Sequence, residues 1–115
     1  MAQFIFLIRS EGADFSKYSA GDFQDLLKKY QAWTQKLKTE GRFLAGEKLS
    51  NDRGKSLKAK AGKIIVDGPY ADSKEAIGGF YIIEASDINE AVEIGKGCPS
   101  LTYGGSVEIR EVDQM

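Results

Sequence analysis

Two runs constrain this chain more than any other feature: FIFLI (4–8) and FYIIEA (80–85). Each is apolar on both alternating faces, which predicts a strand in the middle of a sheet with cover on both sides. Each is followed by helical periodicity. After the first, Ser19 opens a helix with Asp22 as its capping partner three residues on. Phe23, Leu26, Leu27, Tyr30, Trp33 and Leu37 then recur as one stripe. Asp22 and Asp25 in the first turn and Lys36 and Lys38 near the end suit the helix dipole, and Gly41 stops the helix. After the second run, Asp87 and Glu90 repeat the capping signal. Ile88, Ala91, Val92 and Gly95 face one way on a short helix that Gly97 and Pro99 end.

The remaining elements complete a pattern. RFLAGEKL (42–49) reads as a strand. SLKAK (56–60) and KIIVD (63–67) read as a β-hairpin in which Gly62 supplies a positive φ, and SVEIREV (106–112) alternates as a closing strand. The order is β-α-β, a hairpin, then β-α-β, within one domain spanning 1–115. It predicts an α+β fold of ferredoxin-like topology, an antiparallel sheet with both helices on one face. In that topology FIFLI and FYIIEA take the two central strands. The sheet face away from the helices then needs a cover that the chain has no element left to supply. A large exposed apolar face marks an interaction surface, so a second copy is expected there, as a homodimer in a dimeric α/β barrel.

Composition narrows the function classes. Sixteen basic and seventeen acidic residues leave a formal charge of −1, without the basic footprint of a nucleic-acid binder, so no direct nucleic-acid contact is expected. Lysines 28, 29, 36 and 38 read as a solvated helix face. The single cysteine, Cys98, permits no intrachain disulfide, and a cytoplasmic location is expected. The apolar run at the start is too short for a membrane span and lacks the basic lead of a signal peptide. There is no histidine. That excludes histidine-ligated haem, Ser-His-Asp and Cys-His catalysis, and zinc sites built on histidine or several thiolates. No cofactor or metal is expected.

The segment DGPYADSKEAIGGF (67–80) is longer than the two to five residues of an ordinary hairpin loop. Asp72 and Glu75 fit the capping box of one helical turn through Ile77. Gly78 and Gly79 are expected to end that turn and to allow a close backbone approach before Phe80. Asp67 is unusual. A turn aspartate commonly bonds the N–H two residues on, but that residue is Pro69, which has none. Its carboxylate therefore either takes another backbone donor or serves a ligand. The same segment resembles the signature of the YCII-related family, in its DGPF-domain branch, with Tyr70 where that motif has Phe. The resemblance extends to YQAWTQKLKTEG (30–41), INEAVEIGKGCP (88–99) and GGSVEIREV (104–112).

The resemblance implies a ferredoxin-like dimeric α/β barrel. It leaves the activity of the DGPF branch open, and some bacterial members lie near extracytoplasmic-function sigma factors. In the other branch a histidine and an aspartate are proposed as a catalytic pair. Tyr30 occupies the histidine's place here, and the aspartate corresponds to Asp67 or Asp72. Two readings of different class follow. One is a small-molecule-binding protein or enzyme with a pocket near Asp67, Tyr70 and Arg9. Asp67 and Tyr70 are its candidate acid–base groups, provided burial or a partner tunes their pKa. Arg9, Tyr30, Asp72 and Arg110 are its candidate ligand contacts. The other is a non-catalytic accessory dimer of sigma-factor-dependent transcription.

Three further signals are weaker. GRFLAGEK (41–48) imitates a phosphate loop, but Glu47 intrudes and the run follows a helix. Cys98 sits in a helix stop and reads as structural, and Tyr30 and Trp33 also fit the core stripe. Arg9, Glu108 and Arg110 interrupt apolar strands, where they pair with each other, line the space between sheets, or sit exposed at an edge.

Overall fold

A computed structural model describes residues 1–9, 19–50, 54–67 and 77–114. The element order is β1 (Ala2–Arg9), α1 (Ala20–Thr39), β2 (Phe43–Lys48), β3 (Ser56–Lys60), β4 (Lys63–Asp67), β5 (Ile77–Ala85), α2 (Ile88–Gly95), a 3₁₀ turn (Pro99–Tyr103) and β6 (Ser106–Glu111). Strands β2, β5, β1 and β6 form one antiparallel sheet in that order, and β3 and β4 form a separate two-stranded hairpin. The fold is the expected α+β, ferredoxin-like one, and the two double-sided apolar runs hold the central strands. No helix among the described residues is long and apolar enough to cross a membrane.

Register assigns the two faces of the sheet. Phe4, Phe6 and Ile8 of β1 stand opposite Ile83, Tyr81 and Gly79 of β5. Phe4, Phe6, Ile8 and Ile83 join Trp33 and Leu37 of α1 and Ala91 of α2 in the buried core, with half-buried Tyr81 packed against it. The alternate positions, Ile5 and Leu7 opposite Ile82 and Phe80, are only half-buried. Cover on both sides, expected from the double-sided runs, is thus present on one side within a single chain. On the open face Ala45 stands beside Ile82 and Glu47 beside Phe80. Arg110 and Glu108 stand beside Ile5 and Leu7.

Both helices start as the sequence predicts. Asp22 N donates to Ser19 Oγ, and the Asp22 carboxylate accepts from Ser19 N, so the capping box is complete. At α2 the Asp87 carboxylate accepts from Glu90 N at 2.8 Å. The Glu90 side chain, however, accepts from Ser86 N and from Arg42 Nη1, at 3.0 and 2.6 Å. The core stripes are narrower than expected. Phe23 and Leu27 are exposed on α1 and Ile88 and Val92 on α2, because α1 meets the sheet along Tyr30, Trp33, Thr34 and Leu37, and α2 along Ala91, Ile94 and Gly95.

One other expectation needs correction, and the hairpin turn adds to another. Ile77 opens β5 instead of closing a helical turn, and Gly78 and Gly79 lie within that strand; residues 68–76 of the opening motif lie outside the described residues. The close approach at Gly79 is real, since a Cβ there would sit 3.0 Å from Glu47 O. In the hairpin turn Ala61 (φ 53) shares the positive φ with Gly62 (φ 78), the combination that a two-residue type I′ turn requires.

Candidate functional site

One end of the sheet gathers most of the chemistry-bearing residues. There β1 finishes at Arg9, beside Ile77 at the start of β5 and Ser106 at the start of β6. β2 also ends here, after Lys48, and Leu49 N still donates to Gly78 O. Asp67, the last residue of β4, is paired with Ser56 at the base of the hairpin. Gly105 locks this end. A Cβ there would fall 2.8 Å from Arg9 O and 2.9 Å from Ser100 O, so only glycine lets the 3₁₀ turn run alongside the end of β1.

The two sides of this end differ in kind. On the open side Arg9 Nη1 donates to Glu108 Oε1 at 2.8 Å, which resolves the interrupting charges of β1 and β6 into a cross-strand pair. Such a partly exposed pair is worth at most about 1 kcal/mol, so its effect is to fix where the guanidinium points. Arg110 is exposed and forms no ion pair among the described residues.

The helix side is a closed polar cluster. Tyr30 Oη shares a short hydrogen bond with Ser100 Oγ and lies 3.7 Å from Cys98 Sγ. Tyr81 Oη shares another with Thr34 Oγ1 at 2.5 Å. Burial pushes the Tyr30 phenol far above its ordinary range, and it also raises Tyr81 and the Cys98 thiol. Trp33 lies between Phe6 and Tyr81, with ring centroids 6.2 and 4.8 Å away. Neutral, hydrogen-bonded and walled by rings, these groups are held as protonated donors. Cys98 is a buried thiol without thiolate character.

The structure therefore sets Arg9 on the open face at this end of the sheet and separates it from Tyr30 by the sheet's thickness, while Asp67 ends a hairpin that packs almost wholly on itself. Arg110 shares the open face with Arg9 but stands farther along, opposite Ile5. Tyr70 and Asp72 lie outside the described residues. Sequence reading missed Ser100, Thr34 and Tyr81 as partners of one polar cluster, and also the bond from Arg42 to Glu90. No spacing rule joins residues 47 to 70 positions apart. The only local hint was a tyrosine on a core stripe, since a buried phenol needs a partner.

Comparison with known proteins fits this architecture. The solved structure of 5-chloro-2-hydroxyhydroquinone dehydrochlorinase from Burkholderia phenoliruptrix AC1100, in complex with 2,5-dihydroxybenzoquinone, superposes with a TM-score of 0.51. The likeness covers 98% of this chain and 95% of that one at 18% identity, and shows a shared fold. An uncharacterized protein of Rhizobium meliloti (strain 1021) is 35% identical over 57 residues. That match covers 48% of this chain and 46% of the relative, so it spans about half the length of either. The family model of the YCII-related domain matches residues 13–115, and with most of its length matched, the chain belongs to the YCII-related domain family.

Proposed function

We propose that the chain is a homodimeric small-molecule-binding protein whose ligand lies against the open sheet face, at the Arg9 end and near Asp67. The observation that carries this reading is the composition of that face. Half-buried Leu7 and Phe80 make an apolar floor, and an arginine is held beside it by Glu108. An apolar floor with a few fixed polar groups is the usual make-up of a small-molecule site. It suits a compact molecule with a flat apolar body and an acidic group, such as a hydroxylated quinone or a benzoate. The dihydroxybenzoquinone held by the dehydrochlorinase of the same fold is a molecule of this class. The second copy would close the site from above and exclude water. Asp67 and Tyr70 are the groups through which proton transfer to a bound molecule would run, and Asp72 and Arg110 would contact its periphery. Tyr30 faces the other side of the sheet and would support the site from behind.

Calorimetric titration with 2,5-dihydroxybenzoquinone and with substituted benzoates tests this. The parent should bind at least one of them, and Arg9→Ala should weaken binding tenfold or more. Asp67→Ala should melt like the parent while losing binding or turnover. If Arg9→Ala binds as tightly as the parent, the site is elsewhere. If Asp67→Ala loses about 0.5–2 kcal/mol of stability with binding intact, its carboxylate is a structural cap.

A further inference from the structure

The β3–β4 hairpin is an apolar ribbon without a cover among the described residues. The hairpin packs almost wholly on itself. Register sets Leu57 beside Val66 and Ala59 beside Ile64, so these four share one side. Leu57, Ile64 and Val66 are 69, 72 and 59% exposed there. An isolated two-stranded hairpin is at best marginally stable in water, and an uncovered apolar one invites association.

Charge says what covers it. Residues 54–67 hold four lysines and one acid, whereas residues 77–114 hold seven acids and two bases. On the open sheet face, Glu47 and Glu84 flank Ala45, Phe80 and Ile82, and neither carboxylate forms an ion pair among the described residues. We infer that the hairpin is an arm exchanged between two copies. Its Leu57–Ala59–Ile64–Val66 side lies over the β2–β5 half of the second copy's open face, and its lysines reach Glu47 and Glu84. Lysine stems are long enough to wrap round a two-stranded ribbon and leave their charged ends at the rim. The inference rests on the homodimer reading above and adds to it the element that closes the dimer.

The test mixes unlabelled and ¹⁵N-labelled protein and applies a zero-length amine–carboxylate cross-linker, with hydrogen exchange of residues 56–67 followed across dilution. The expected result is Lys58, Lys60 or Lys63 joined to Glu47 or Glu84 in mixed-isotope pairs. Arm amides should be protected in the dimer and lose protection as it dissociates. Leu57→Ser/Ile64→Ser/Val66→Ser, with an unchanged circular dichroism spectrum, should weaken the dimer at least tenfold. A dimer whose arm amides exchange freely and whose affinity ignores the triple variant overturns the arm and leaves the dimer standing. A monomer at micromolar concentration overturns both. Arm protection that appears only on addition of phosphatidylglycerol vesicles overturns the arm in favour of a membrane surface.

Discussion

Tyr30 commits its hydroxyl to Ser100 inside the fold, and the consequences are measurable. Tyr30→Phe leaves a buried serine without that partner and should cost about 1–2 kcal/mol in urea unfolding. The pH dependence has a definite sign. Unfolded tyrosines ionise near pH 10, while burial keeps Tyr30 and Tyr81 protonated to higher pH. Their contribution is therefore complete below about pH 10 and is lost as pH rises toward the raised folded values. Absorbance titration at the phenolate band should show one fewer late-ionising tyrosine in Tyr30→Phe than in the parent. At this scale the sequence was half legible. Its helical stripe placed Tyr30 in the core. Its partners, Ser100 and Cys98, lie about seventy residues away across the sheet and left no periodic trace.

At the scale of elements, both capping signals and the central position of β1 and β5 were legible because they are set by neighbouring residues and by strand alternation. The Glu90 side chain was not, because it bonds Arg42, a residue just ahead of β2. Arg42 and the Ser86 amide hold the Glu90 carboxyl below the usual carboxylate range. A depressed value contributes stability above the unfolded pKa, about 4.3, and that contribution is lost as pH falls through the folded one. Glu90→Gln should flatten the acid limb of the stability curve without moving its alkaline limb. The hairpin turn offers the opposite kind of change. A left-handed alanine costs roughly 1–2 kcal/mol, and asparagine before glycine suits a type I′ turn. Ala61→Asn should therefore slow hydrogen exchange in residues 56–67.

For the whole molecule, the decisive quantity is the oligomeric state. Helices on one side leave Ile5, Leu7, Phe80 and Ile82 half-exposed on the other. Sedimentation should show a dimer at micromolar concentration that Leu7→Glu or Ile82→Glu converts to monomer. The need for a cover could be read from the two double-sided apolar runs, since a lone ferredoxin-like sheet would be expected to alternate. The hairpin's detachment could not, because SLKAK and KIIVD read alike whether the ribbon folds back on its own sheet or reaches away from it. Periodicity records which side of a strand is apolar, and is silent about whose surface meets it.

Trp33 is the sole tryptophan of the chain, and it lies buried between Phe6 and Tyr81, while residues 54–67 contain no aromatic side chain at all. The molecule thus has one bright optical reporter, and it is set in the layer between α1 and the sheet. Emission from Trp33 will follow the melting of that layer and nothing else. An arm that lifts away from its neighbour, at any protein concentration, will do so in the dark.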